Sequence, residues 1–428
     1  MGPDMATNTA SEGPASAVGY DPHPVRAQFP LLVAPENDQA LHYLDNAATA
    51  QVPQAVLDAV TEHETRHRSN VLRSVHRLAE AATDAYEGAR ATVAEYLNAA
   101  SADEVVFTSG CTAAVNLVAR AFGETLAPGD EIVVSELEHH SNLVPWQMLR
   151  ARSGIVLRVL PVTAEGGLDL AALPDLLGPR CRLVALTHAS NVTGACTDVR
   201  AVVAAARRVG ARVLLDGAQH VPHGPLDVQA LDVDFYCFSG HKVYGPNGIG
   251  VLWGRADALA ALPPFLGGGE MIRRVTLDET TYADPPRRFE AGTPPIAQAV
   301  GLGAALRWFA AQDRAGAATH LARLTRRLLE GLDTLDAGRG RIRIIGAPSL
   351  APRLPIVAFA IDGAHPHDVA QILDGHGVAV RGGHHCAQPL MDRFDVAGTT
   401  RASLAPYNTD ADVDACLDGL ADALGKLL

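Results

Sequence analysis

The chain has 428 residues, 48% of them apolar and 19% charged, which is the make-up of an ordinary globular protein with room for one large core and a smaller companion. A net charge of −13 without any basic block argues against nucleic acid as a partner. No apolar run reaches the ~18 residues of a spanning helix, and the start lacks a basic-then-apolar leader pattern, so a cytoplasmic protein without a membrane segment is expected.

Residues 1 to about 24 are small, polar and rich in Pro, Gly, Ala and Ser, a mix expected to stay disordered; Met5 leaves open a later start, with the first four residues as a cloning remnant. From about 50 to 255, helical patterns alternate with β-rich runs: EVVFTSG, EIVVSELEHH, RLVALTHASN, RVLLDGAQ, DFYCFSGHK and GIGVLWG. That alternation predicts a largely parallel sheet with helices on both faces. ADPPRRFEAGTPP (283 to 295) has the Pro and Gly density of a boundary. One long helix is expected over roughly 296 to 335. A second set of strands follows (RIRIIGA, PIVAFAI, GVAVRGG, TTRASLA), with helices HPHDVAQILDGHG and DVDACLDGLADALGKLL, as in an α+β domain. The expected division is a tail over 1–24, a large domain over 25–290 whose first residues pack on the small one, and a small domain over 291–428.

The six cysteines form no CxxC pair and no regular framework, so they read as reduced thiols, most of them buried; metal ligation is not indicated. Ligands of open parallel sheets sit beyond the carboxyl ends of the strands. There EVVFT runs into SGCTAAVN, a small-residue turn opening a helix that suits a phosphate. EIVVSE ends in EHHSN, RLVALTHAS in Asn191, RVLLD in Asp216 with Gln219, and DFYCFS in SGHKVYG. Singly, such a lysine is an ordinary surface group and such a carboxylate an ordinary cap. Together they supply what pyridoxal 5'-phosphate (PLP) needs: a phosphate cradle, a carboxylate for the pyridine nitrogen, a flat group for the ring and a lysine amine.

The segments YLDNAAT, EHHSNLVPWQ, THASNVTG, DGAQHVPH, FSGHKVYGPNGIGVLWG, RRFEAGTP, RGGHHCAQPL and RASLAPYNT, in this order over residues 26 to 428, resemble the signatures of the class V aminotransferase superfamily of PLP enzymes, and within it the group II, Suf-type cysteine desulfurases. The resemblance implies PLP fold type I: an α/β large domain with a mainly parallel seven-stranded sheet between helices, and a smaller α+β C-terminal domain carrying a catalytic cysteine loop. It implies Lys242 as the Schiff-base lysine, Asp216 as partner of the pyridinium nitrogen, His139 stacked on the ring, and Gln219 and Asn191 at the 3'-oxygen side. Thr112, Cys111, Ser239 and His241 would hold the phosphate, joined by Thr293 from the neighbouring subunit of a homodimer. Arg401, with Asn191, His76 and Arg381, would bind the substrate. Cys386, in RGGHHCAQ, would attack the sulfur of L-cysteine, release L-alanine and keep a persulfide for a SufU-like or SufE-like acceptor, in iron–sulfur cluster assembly or another thiolation. Arg381, His384 and His385 are expected to favour its thiolate.

Selenocysteine lysis, or another class V reaction in a specialised pathway, would use the same cofactor residues. A sulfur-transfer scaffold without turnover is the non-enzyme alternative, and Lys242, Asp216 and Arg401 argue against it. Three places depart from the family pattern: Leu72 and Ser74 in the usual His-Arg-Gly-x-His, Cys111 and Ala113 around Thr112 in the phosphate turn, and His220 beside Gln219. His367 of HPHDVA matches a position that in some relatives meets the zinc of a SufU-type acceptor.

Overall fold

The computed structural model describes residues 19–33, 40–224 and 226–428. The expected tail lies outside the described residues as far as residue 18. Its last stretch is ordered: His23–Arg26 is a helical turn, and the Tyr20 hydroxyl donates to Pro406 O at 3.1 Å. Among the described residues no helix is long and apolar enough to cross a membrane.

The large sheet has seven strands: β1 (Val105–Thr108), β2 (Glu131–Ser135), β3 (Val156–Leu160), β4 (Cys181–Thr187), β5 (Arg212–Asp216), β6 (Phe235–Ser239) and β7 (Gly250–Gly254). Their spatial order is β1-β7-β6-β5-β4-β2-β3. Strands β2 to β6 pair in parallel, and β7 runs antiparallel to both β1 and β6. Successive side chains of a strand face opposite sides, so the apolar runs feed two cores. Val105, Phe107, Val133, Val184, Leu186, Val213 and Leu215 enter one; Val106, Ile132, Val134, Leu183, Ala185 and Leu214 enter the other. Strand β3 was not among the β-rich runs noted in the sequence. It lies at the sheet edge with only Leu160 buried, so its VLRVL carries the weaker signal of a half-exposed strand.

The expected long helix is two helices, Ile296–Ala310 and Arg314–Asp336. Asp313 divides them, its side chain accepting from Gly316 N at 2.9 Å as an N-cap. Ile296–Ala310 packs on Arg77–Leu97 and Gln54–Glu62 of the large unit, although it follows the Pro-rich stretch. The second sheet contains Ile342–Ile345, Ile356–Ile361, Arg381–Gly383 and Thr399–Ser403, all antiparallel, over a third core built with Pro366–Gly375 and Asp410–Leu427. The early residues His42–Tyr43 pair with Val378–Ala379 of this unit.

One buried ion pair ties the EAGTP segment to the large unit. Glu290 Oε1 accepts from Arg90 Nη1 and from Phe107 N, both at 2.7 Å, while Oε2 accepts from Arg90 Nη2 at 2.9 Å and Tyr86 Oη at 3.0 Å. Both side chains are buried, so removing the carboxylate strands a guanidinium. Glu290→Ala is expected to lower the urea unfolding free energy by about 3–5 kcal/mol, and a loss under about 1 kcal/mol would show that water reaches the site.

Candidate active site

The carboxyl ends of β1, β2, β4, β5 and β6 lie along one edge of the large sheet, and the small unit closes over it. The close approach of Gly250 to Gly110 shapes this edge. A Cβ on Gly250 would come within 2.4 Å of Gly110 Cα, and Gly110 itself has φ 151°. Glycine at both places lets the helix Cys111–Ala121 start directly against Ser239, whose Oγ accepts from Cys111 N at 2.9 Å.

The resulting crevice is lined by Cys111, Thr112, His139, Asn191, Asp216, Gln219, Ser239, His241, Lys242, Arg381, Cys386 and Arg401. His76, expected at the site, and Thr293, expected to serve the neighbouring subunit's site, do not line this crevice. His76 is exposed and caps Arg77–Leu97, its Nδ1 accepting from Ala79 N at 3.2 Å. Thr293 lines clefts beside Pro294 and Pro295.

Asp216 is buried at the end of β5, with Oδ1 accepting from Ala218 N at 3.0 Å and from the Cys111 thiol at 3.2 Å. Its Oδ2 lies 3.4 Å from Ser141 Oγ. Lys242 follows β6 in a single turn of 3₁₀-helix, and burial pushes its ammonium below the ordinary value against the pull of Asp216. His139 both caps a turn, accepting from Ser141 N at 3.0 Å, and lines the crevice; burial and the Lys242 charge lower it to about 4. Burial and Lys242 also lower His241 to about 4, so both imidazoles are neutral at pH 7. Gln219 Nε2 donates to Ala47 O at 2.8 Å, and Asn191 Nδ2 to His385 O at 2.7 Å.

Arg401 comes from the small sheet. Nη1 donates to Asn191 O at 3.0 Å and Nη2 to Asp45 Oδ1 at 3.2 Å, which leaves Nε buried without a hydrogen-bond partner. A buried donor left unmatched is costly, and here it lies beside a polar crevice where a carboxylate would satisfy it. Asp45 also takes Arg381, through Nε at 3.1 Å and Nη2 at 3.0 Å.

Cys386 is exposed at the mouth of the crevice, in a turn where both it and His385 have φ 55°. The turn is pinned by His140 N donating to Cys386 O at 2.7 Å. One expectation needs correction. His385 is no source of positive charge for the thiol: it is buried, with Nε2 against Thr399 Oγ1 at 2.8 Å, and burial with the Arg401 charge lowers it to about 3.

Several contributors carried no role in the sequence reading. Asp45, inside YLDNAAT, positions both arginines. Ser141 reaches Asp216. Glu138 is fully buried below His139, and burial pushes its carboxyl up to about 8 despite donors from Ser135, Asn142 and Thr187 N. All three lie in motif segments, so position was available as a signal but partners were not. Cys111, a departure from the family pattern, puts its thiol on Asp216. His220 stacks on His188 with ring centroids 3.6 Å apart, and His188 N donates to Asp216 O at 2.8 Å. Leu72, which stands where the family pattern has its first histidine, sits at φ 74°, a left-handed conformation uncommon for a residue with a side chain.

The buried imidazoles give stability a defined acid limit. His188, also held well below its ordinary value by burial, and His385 stay neutral in the fold, whereas in the unfolded chain each takes a proton near pH 6.5. The unfolded state then binds more protons, so stability falls as pH drops from about 6.5 toward their folded values. Between pH 7 and pH 5 His385 contributes a loss of about 2 kcal/mol, and His188 adds a loss of the same sign. Urea titrations at the two pH values on wild type and His385→Asn should differ by that amount; an equal pH effect in both would refute the assignment.

A buried carboxylate sharing one crevice with a half-buried lysine, a helix start, neutral imidazoles and an unmatched arginine defines a PLP-dependent enzyme of fold type I. Residues 42–416 match the family model "Aminotransferase class-V", and the chain belongs to that family and, within it, to the cysteine desulfurases. It is 45% identical to a probable cysteine desulfurase of Vibrio cholerae over 94% of this chain and 98% of that one, and 48% identical to a cysteine desulfurase of Dickeya dadantii over 92% and 95%. Among solved structures it resembles the cysteine desulfurase CsdA from Escherichia coli with a TM-score of 0.86 and 42% identity, over 96% of this chain and 100% of that chain. An apo cysteine desulfurase of Thermococcus onnurineus gives 0.89 and 38%, over 94% and 98%. The cofactor is PLP, in keeping with a C-DES mutant structure at 27% identity and a TM-score of 0.78, covering 93% of this chain and 99% of that one, which carries glycine covalently linked to its PLP.

Proposed function

We propose that this chain converts L-cysteine to L-alanine, keeping the sulfur as a persulfide on Cys386, in the manner of a group II, Suf-type desulfurase. The supporting observation is that the only exposed cysteine among the described residues lines the same crevice as Lys242 and the buried Asp216. PLP bound there would supply an electron sink for the substrate's Cα. Lys242 would hold the cofactor and, once released from it, move the Cα proton, a task favoured by burial, which pushes its ammonium below the ordinary value. Asp216 would hold a positive charge at the ring nitrogen, His139 would lie over the ring, and Gln219 and Asn191 would border the 3'-oxygen. Thr112, Ser239, His241 and the backbone at Cys111 would hold the phosphate at the helix start.

Arg401 would take the substrate carboxylate through its unmatched Nε, with Asp45 fixing the guanidinium plane. The Cys386 thiolate would then meet the substrate sulfur: an S–S bond forms as the Cβ–S bond breaks, the electron pair stays with the carbon skeleton, and protonation there gives L-alanine. The exposed position of Cys386 favours passing the sulfur to a SufU-like or SufE-like acceptor, and exposed His367 lies against Gly382 of the same loop. A homodimer in which Thr293 completes the neighbouring phosphate site accords with its place outside this chain's own crevice.

Mass spectrometry after incubation with L-cysteine is expected to show one added sulfur atom on Cys386 and stoichiometric alanine, with alanine release rising when a matching acceptor is added. An adduct confined to another cysteine, or no alanine, would overturn the reading.

A further inference from the structure

Two thiols meet the carboxylate at the floor of the crevice. Cys111 opens the helix after β1, Cys237 lies in the middle of β6, and Asp216 ends the neighbouring β5. Cys111 Sγ is 3.2 Å from Asp216 Oδ1 and 3.4 Å from Cys237 Sγ, and the three ligand atoms all lie within 4.8 Å of one another. All three residues are buried, and both thiols are free.

Two sulfurs and one oxygen on a tetrahedral ion of the zinc kind would stand about 3.7–3.8 Å apart (S to S) and about 3.5 Å apart (S to O), from bond lengths of ~2.3 and ~2.0 Å. The observed separations are short of these by only a few tenths of an ångström, which side-chain rotation can supply. The surroundings also fit. Asp216 Oδ1 is held by Ala218 N, and the backbone N of Cys111 by Ser239 Oγ, so the ligands are braced as those of a metal site are. Cys111 and Asp216 line the crevice, which gives an ion its way in and leaves a fourth position for water.

We propose that Cys111, Cys237 and Asp216 form a binding site for a soft, thiolate-preferring divalent cation in the cofactor-free protein, and that occupation of this site and binding of PLP exclude each other. The exclusion rests on the reading of Asp216 as partner of the ring nitrogen, because a carboxylate coordinated to a cation cannot also serve the pyridine. A free cysteine thiol is largely protonated near neutral pH and gives up its proton on binding a metal ion. Binding a divalent cation therefore releases two protons and leaves two thiolates and a carboxylate on the ion, one net negative charge facing the Lys242 ammonium.

The test is a Cd²⁺ titration of the full chain stripped of PLP. The expected result is an ultraviolet thiolate-to-cadmium absorption band that saturates at about one equivalent with release of about two protons, is suppressed by prior PLP, and is retained in Cys386→Ser. Cys111→Thr should lose affinity by more than the roughly 10–100-fold that loss of a supporting group costs. Cys237→Val, an apolar replacement in the core, should do the same; if one variant fails to fold, the other carries the comparison. Absence of the band, its survival in Cys111→Thr, or its persistence at full strength in protein that has regained the visible absorbance of bound PLP would overturn the proposal. A normal band in protein that never regains visible absorbance with PLP would uphold the cation site and overturn the cofactor role of the crevice instead.

Discussion

Cys386→Ser protein is expected to purify with the visible colour of bound PLP and to make alanine and sulfide from L-cysteine at a rate lower by about 10⁴-fold or more. The separation of the two readouts follows from position. Cys386 stands at the exposed mouth on the small unit, while Asp216, Lys242 and Ser239 hold the floor from β5 and β6. A hydroxyl keeps the shape of the loop, including the hydrogen bond from His140 N to the residue 386 carbonyl, and removes only the nucleophile. The size of the loss follows from chemistry: a serine hydroxyl is not ionised near neutral pH and does not open a route to the substrate sulfur. Full retention of activity on L-selenocysteine alone would assign the chain to selenocysteine lysis, and full retention on L-cysteine would remove Cys386 from the reaction. The left-handed conformations of His385 and Cys386 belong to the same argument, since Asn191 and His140 must hold a strained turn in place.

Much of this site was legible because function sits where strands end. With Asp216 at the end of the run RVLLD and Lys242 just beyond DFYCFS, a parallel sheet puts them at one edge without further knowledge. What could not be read was pairing across the two units. Asp45 precedes Arg401 by some 350 residues, and only the meeting of the YLDNAAT segment with the small sheet, through the bridge of Asp45 to Ser403, reveals one carboxylate fixing two arginines. His385 failed for a related reason. Its charge was inferred from its neighbours in sequence, whereas burial beside Arg401 makes it neutral. The division of the expected helix at Asp313 was hidden because the apolar pattern continues on both sides, and one capping carboxylate decides the break. Edge strand β3 was lost because exposure dilutes the alternation that marks a strand.

Lys242→Ala carries the other large effect. The variant should lose the visible absorbance of covalently held PLP and lose turnover by about 10⁴-fold or more, because one amine has two tasks, holding the cofactor and moving the Cα proton. Its placement makes replacement by a neighbour difficult. Lys242 is half-buried in the same crevice as Asp216, with His139 and His241 already neutral near it. Neither imidazole can form the covalent link, and the crevice-lining cations Arg381 and Arg401 are guanidiniums engaged with Asp45. Removal also leaves Asp216 without the ammonium it faced, so part of the effect appears as weaker retention of PLP. Added small primary amines separate the two tasks: partial recovery of turnover, without a covalent link between protein and cofactor, is expected if proton transfer is what the crevice lacks. A Lys242→Ala protein that kept both its colour and its alanine production would move the essential amine to another residue, and with it the reading of the whole sheet edge.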